Sequence, residues 1–184
     1  MNLHDEKTLR EVLTFTYRVM VASCDLIACA QCAIENPVGD TPDAKLYAFY
    51  QVHAGDERGH DEWLLSDLDD DIPNEIDFTA ACIAGTQYYL IRHVHPALLL
   101  GYMQALENPT PLSLIEELEA VHGKKLLRTW RHHAEVDGEH LKEIEEMIAL
   151  MPDELKTKIE QNRQATLTLW NSTLKRYDHG NESV

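Results

Sequence analysis

Two eight-residue segments of the chain repeat one order of side chains: an imidazole, a carboxylate and a second imidazole. Residues at i, i+4 and i+7 lie on one face of an α-helix, so each segment would present its three polar groups together over two turns. The groups interrupt two otherwise apolar stripes. They stand at His53, Glu57 and His60 in one segment, and at His133, Asp137 and His140 in the other.

A carboxylate buried on an apolar stripe is costly unless positive charge or hydrogen bonds compensate it. No lysine or arginine stands on either stripe inside the two segments. If the two helices face each other, a pair of divalent cations would supply the missing charge. Imidazole and carboxylate together favour iron, manganese or zinc, whereas carboxylate and carbonyl oxygens alone favour calcium or magnesium.

A further carboxylate ends an apolar helix face in the middle of the chain. Glu107 is the only acid on that face and directly precedes an Asn-Pro stop. Histidines combined with carboxylates that can bridge two ions are typical of di-iron sites in bundle cores. The predicted catalytic carboxylates are Glu57, Glu107 and Asp137. The predicted metal ligands are Glu57, His60, Glu107, His133, Asp137 and His140.

Other polar residues receive different predictions. A single buried histidine is more often a hydrogen-bonded core residue, so His53 is interpreted as a partner of the ligands, and the sequence leaves open whether it is itself a ligand. His132 lies off the polar stripe and should point away from it. Arg92 is a natural clamp for a substrate carboxylate, because guanidinium binds carboxylates with two hydrogen bonds. His93 and Tyr50 are the other candidate substrate residues.

The elements that would position these residues are all helical. Apolar residues recur at a spacing of 3.6 and not in alternation, which predicts helices and no strand. The expected helices cover 6–35, 43–71, 76–107 with a kink at Pro96, 111–122, 124–150 and 153–176. We expect one domain over 1–178 and a disordered polar tail over 179–184.

Charge and composition exclude several classes of partner. The chain has 184 residues, and 16 basic against 32 acidic residues give a net charge of −16, which repels nucleic acid and anionic lipid. The uncharged apolar stretch near 94–103 is too short to span a bilayer, and the first residues do not resemble a signal peptide. The expectation is a cytoplasmic protein with reduced cysteines, a small-molecule substrate and the homodimeric state that is common among soluble chains.

The three segments 56–65, 88–107 and 133–140 resemble the heme-oxygenase-like di-iron oxidases, often described as iron-containing redox enzymes. The resemblance covers about residues 43–150. It implies a TENA-like, heme-oxygenase-like bundle of about seven helices and the six ligands given above. It also implies two Fe(II) ions, with O2 as co-substrate in the oxidation of a small organic molecule. Members of this family often act on amino-acid-like compounds or fatty acids.

Alternative functions remain open at the level of sequence. A ferritin-like iron-binding or storage bundle would use Glu57-x-x-His60 and Asp137-x-x-His140, but it needs another carboxylate on the first helix and would leave His133 without a role. A metal-free relative of thiamine-degrading or quinone-cofactor-forming enzymes, or a partner-binding bundle, would not need six polar residues on apolar stripes. Manganese or a mixed metal pair would suit the same ligands.

Overall fold

The computed structural model describes residues 1–107 and 110–178, and all regular structure within these ranges is helical. A 3-10 turn over Pro96–Leu98 precedes the sixth α-helix. The predicted tail, 179–184, lies outside the described residues. The α-helices are α1 (Glu6–Met20), α2 (Ser23–Ala33), α3 (Pro42–Asp56), α4 (His60–Asp67), α5 (Phe78–His93), α6 (Leu99–Leu106), α7 (Leu112–His122), α8 (Arg128–Ala149) and α9 (Asp153–Asp178).

Side-chain caps fix where several of these helices begin. Asp5 accepts a hydrogen bond from the backbone N–H of Thr8 at the start of α1. Thr41 caps α3, which has Pro42 at its first position, and Asp77 accepts two backbone hydrogen bonds at the start of α5. An oxygen at the N-cap satisfies N–H groups that have no partner within the helix. Helix α3 therefore begins at Pro42, one residue before the predicted start at 43.

Three of the long predicted helices are interrupted. The stretch 6–35 breaks between α1 and α2, and 43–71 breaks at 57–59, where Gly59 has a φ of +87°. The stretch 76–107 breaks after His93, and the ring of His95 accepts a hydrogen bond from the N–H of Ala97. The spacing of apolar residues did not reveal the breaks within 6–35 and 43–71, because this spacing continues across a short turn.

In the part of the chain that the structure describes, the core consists of two apolar clusters joined by α1. Phe15 and Val19 of α1 belong to a large cluster that includes residues of α2, α3, α5, α6 and α9. Leu9 and Leu13, nearer the start of α1, belong to a smaller cluster with residues of α4, α7 and the segment before α8. The amphipathic helices thus bury their apolar faces against several neighbours, as helices of a bundle must.

Glu6–Ala33 has the length and apolar composition to cross a membrane, which the sequence analysis did not anticipate. A core helix of a globular protein meets the same test. In this structure the stretch is divided into α1 and α2, and both helices contribute fully buried residues, among them Leu13 and Leu26, to the bundle interior.

A buried polar contact joins the end of α4 to the start of α8. The carboxylate of Asp67, which is 1% exposed, accepts hydrogen bonds from the N–H and the hydroxyl of Thr129 at 2.8 and 2.6 Å. Arg128 lies 2.9 Å from its other oxygen. The contact satisfies an N–H in the first turn of α8. It also holds α4 beside α8, which is the arrangement that brings His60 opposite His133.

The backbones of α6 and α9 approach each other closely at Gly101. A Cβ atom built at Gly101 would overlap the backbone carbonyl oxygen of Ile159. Backbone atoms of α9 cannot withdraw as a flexible side chain can, so only glycine fits this position. Since α6 ends directly before Glu107, this contact also sets the depth of Glu107 in the bundle.

We expect Gly101→Ala to destabilise the protein by about 1–3 kcal/mol, because the added methyl group forces α6 and α9 apart. Gly85→Ala is the matched control: Gly85 is helical and exposed, and its added Cβ would meet nothing within 4 Å. The control should gain up to about 1 kcal/mol from helix propensity. Urea unfolding of both variants measures the difference, and equal stability of the two would contradict the close packing.

Candidate metal centre

All six predicted ligands lie in one region of the bundle interior. Three short elements and one long helix supply them. Glu57 lies in the turn after α3, His60 begins α4, and Glu107 directly follows α6. The remaining three, His133, Asp137 and His140, lie along two turns of α8. The structure therefore brings together residues that lie up to 83 positions apart in the sequence, from Glu57 to His140.

One group of potential ligand atoms comprises Glu57, His60 and His133, with one atom from each residue within 4.8 Å of the others. The Nδ1 atom of His60 is 3.5 Å from Oε2 of Glu57. The ring centroids of His60 and His133 are 4.8 Å apart, with the rings nearly perpendicular. One carboxylate and two imidazoles at this spacing form a three-ligand set that suits a first-row transition metal.

A second group has the same composition but includes a residue that the sequence analysis did not count as a ligand. It comprises His53, Glu107 and His140, again within 4.8 Å of one another. Oε1 of Glu107 is 2.9 Å from Nε2 of His53, and Oε2 is 3.2 Å from Nδ1 of His140. Each oxygen of this carboxylate thus has its own imidazole neighbour.

Asp137 lies on α8 between the residues that α8 gives to the two groups. It is 5% exposed, and its Oδ1 atom is 2.9 Å from Nδ1 of His133. One helical turn separates it from His133 in one direction, and almost one turn separates it from His140 in the other. This position is suitable for a carboxylate shared between two ions or one that orients an imidazole ligand.

The first eight-residue segment does not form one continuous helical face, contrary to the sequence analysis. α3 ends at Asp56, and the chain turns through the left-handed residue Gly59 before α4 begins at His60. His53 therefore pairs with Glu107, while Glu57 and His60 turn toward His133. The second segment lies entirely within α8, and its predicted i, i+4, i+7 arrangement is observed.

Neighbouring imidazoles oppose the effect of burial on the carboxylates. Burial alone would raise the pKa of the Glu107 carboxyl, but contacts with His140 and His53 outweigh it and lower that pKa. The pKa of Glu57 is lowered in the same way, against burial, chiefly by His60. Conversely, the contact with Glu107 raises the pKa of His140 to about 9. Charge balance therefore depends on imidazoles carrying protons, or on cations in their place.

Several buried atoms at the centre make no well-directed hydrogen bond with any residue that the structure describes, and these atoms are of the types that bind metals. They include one oxygen each of Glu57 and Glu107 and ring nitrogens of His60, His133 and His140. Buried polar groups are rarely left without a partner. An ion coordinated by these lone pairs would satisfy them, so the residues present fit two divalent metal ions.

An apolar cavity of about 320 Å³ opens onto this centre. Side chains of both ligand groups and of Asp137 form part of its wall. Elsewhere it is mainly apolar, with Trp130 and Trp170 among its large side chains. The centre-facing residues are His53, Glu57, Glu107, His133 and Asp137. The apolar lining includes Val12, Val19, Ile27, Leu99, Met103, Leu106, Leu167 and Leu174.

The three predicted substrate residues do not line this cavity. Tyr50 is completely buried, and its hydroxyl donates a hydrogen bond to the carbonyl oxygen of Pro96 at 2.9 Å. Arg92 and His93 lie exposed at the end of α5, where His93 packs beside Tyr89. The lining of the cavity therefore does not support the prediction that Arg92 binds a substrate carboxylate. The face of α5 that carries Arg92 is exposed to solvent.

His132 and Trp63 adjoin the centre, although the sequence analysis assigned neither of them to it. The rings of His60 and His132 are 5.1 Å apart, edge to face, and Trp63 contacts both rings. His132 was expected to point away because it lies off the stripe of α8. The structure shows that α4 crosses beside that stripe. Trp63 stands three residues after His60, so the sequence could have indicated that its side chain lies beside His60 on the same face of α4.

Comparison with known proteins establishes the fold. No known protein family's sequence profile matches the chain, and no curated protein matches it. A solved structure from Shewanella denitrificans OS217, described as a domain of unknown function with a heme oxygenase-like fold, matches with a TM-score of 0.75 and 17% identity. The match covers 99% of this chain and 85% of that one. The predicted all-helical, heme-oxygenase-like fold is therefore confirmed.

We expect divalent metal to stabilise the protein, because ions that bind only the folded state shift the unfolding equilibrium. Fe(II) or Co(II), added without oxygen at about 100 times the dissociation constant, should raise the melting temperature by about 5–10 °C. Glu107→Gln should reduce this shift, whereas Glu139→Gln, at an exposed position on α8, should preserve it. Equal shifts in both variants would argue against Glu107 as a ligand.

Proposed function

We propose that this protein is a non-heme di-iron oxidase or oxygenase that uses O2 to oxidise a small organic substrate. The observation that carries the proposal is the position of the two carboxylate–imidazole groups: they lie side by side in the interior and face the same apolar cavity. Such a cavity with a few convergent polar groups is the usual form of a small-molecule site.

The proposed ligands divide between two ions. Glu57, His60 and His133 would hold one, Glu107 and His140 the other, and Asp137 lies between them. Two Fe(II) ions bound there would supply the electrons for the reduction of O2. The chain's own contribution is to fix the ligand directions on four helical elements and to remove water from the reacting groups. Manganese in one or both positions would fit the same donor atoms.

The lining of the cavity restricts the substrate. No lysine or arginine side chain lines it in the part of the chain that the structure describes. A substrate with several charges would lose its hydration without compensation. We therefore propose a mainly apolar substrate with one polar end, such as a carboxylate, that is directed at the metal centre and not at Arg92.

The proposal is tested by iron content and by the reaction with O2. The wild type should bind two Fe(II) ions per chain and give a transient visible absorption when O2 is added. His140→Ala should lose one ion and the transient, because the loss of an imidazole ligand weakens the hold on the ion beside Glu107. His93→Ala, which removes an exposed imidazole far from the cavity, should behave as the wild type.

Other results would point to the alternatives. A wild type that binds no metal after purification without chelators would exclude the di-iron proposal and favour a metal-free enzyme. Assembly into large cages that take up many ions per chain would favour iron storage. Two ions retained by His140→Ala would contradict the ligand assignment.

The cavity itself is tested by filling it. Leu167→Trp should obstruct the cavity and weaken binding of an apolar anionic dye, such as anilinonaphthalene sulfonate, by about tenfold or more, because a larger side chain occupies the space. Thr168→Trp places the same side chain at the next, exposed position of α9 and serves as control. Metal content should not change in either variant. Dye titration by fluorescence measures the effect, and equal affinities would mean that the dye binds elsewhere.

A further inference from the structure

We infer that His53 is a metal ligand, which binds through Nε2 the same ion as Glu107 and His140. This inference rests on the proposed metal pair. It assigns His53 to the ion of Glu107 and His140, although His53 stands in the same eight-residue segment as Glu57 and His60.

The distances fit two ligands of one ion. Nε2 of His53 and Oε1 of Glu107 are 2.9 Å apart. Two ligand atoms that bind one ion at about 2.1 Å, at right angles to each other, are separated by about 3 Å. His140 approaches the other oxygen of Glu107, and its ring lies 5.1 Å from that of His53. The three residues come from α3, the end of α6 and α8, so they enclose a point from three sides.

Including His53 gives the two proposed ions ligand sets of equal size and composition. Glu57, His60 and His133 give the first ion one carboxylate and two imidazoles. Without His53, the second ion would have one imidazole fewer. With His53, the two sets become equal, and Asp137 stands between them. Equal sets of three protein ligands leave coordination positions open at both ions, as a catalytic centre requires.

An ion pair with Glu107 is the other possible role of His53, and the surroundings argue against it. His53 is 2% exposed and its ring stacks on Phe49, with centroids 5.5 Å apart. Glu107 already has His140 as a partner on its other oxygen. Two protonated imidazoles in edge contact at one carboxylate would repel each other in a low dielectric. A single cation between two neutral imidazoles and the carboxylate removes this repulsion.

The orientation of His53 is fixed before any metal binds. Phe49, one turn earlier on α3, holds one face of the ring, and the edge of His140 approaches the ring from α8. A ligand whose direction is set by packing loses little freedom on coordination. The turn at 57–59 makes this direction possible, because it allows α3 and α4 to present their imidazoles to different ions.

The test is to count the coordinated imidazoles. In the Co(II)-loaded protein, each bound histidine with a protonated second nitrogen gives a strongly shifted N–H proton resonance that disappears in D2O. His53→Ala should show one such resonance fewer than the wild type and should bind the second ion at least about tenfold more weakly. Added imidazole should restore occupancy of the second ion by filling the space that the side chain leaves.

His132→Ala is the matched control, because this imidazole contacts His60 without belonging to either ligand group. It should keep every shifted resonance. If His53→Ala does not fold, as judged by circular dichroism, His53→Gln replaces it with the same expected loss. Loss of a resonance in the control as well would show that the spectrum reports packing and would overturn the assignment.

The outcomes separate this inference from the proposed function. Two ions and an unchanged set of resonances in His53→Ala would overturn the role of His53 and leave the di-iron proposal intact. A wild type that binds no metal would overturn both. Loss of one resonance with recovery by imidazole would establish His53 as a ligand.

Discussion

Burial of carboxylates beside imidazoles is the constraint on which the rest of the structure depends. Glu57, Glu107 and Asp137 lie in the interior, where a negative charge is stable only with a positive partner close by. Among the described residues, the helices that surround them supply histidines and no lysine or arginine in direct contact. The fold therefore keeps a cluster whose charge balance depends on protons or on metal ions, which links the stability of the bundle to what occupies its centre.

The turn between α3 and α4 determines how this cluster is divided. A continuous helix would have aligned His53, Glu57 and His60 on one face, and all three would have approached one ion. The left-handed residue Gly59 redirects the chain, and the contact of Asp67 with Thr129 then holds α4 against α8. The segment from His53 to His60 therefore contributes to two ligand groups of equal composition, which α8 and Glu107 complete.

Much of the fold and of the centre could be predicted from the sequence, for identifiable reasons. The helical class followed from the spacing of apolar residues, and the three residues of α8 were placed correctly because that helix is continuous. The break at 57–59 could not be predicted, since Gly59 lies in an otherwise regular apolar pattern. The substrate residues were the least predictable, because the exposure of Arg92 and the path of the cavity depend on how α1, α6 and α9 pack around one another.

The close approach of α6 to α9 has a consequence for the order of events during synthesis. Gly101 requires the backbone of α9 beside it, and α6 carries Glu107 at its end. While the chain is still emerging from the ribosome, α9 is the last of these helices to leave the exit tunnel. Until it docks, α6 lacks its main partner and Glu107 has no fixed position. Under the proposed function, metal would thus enter the centre only after α9 has been synthesised and has packed against α6.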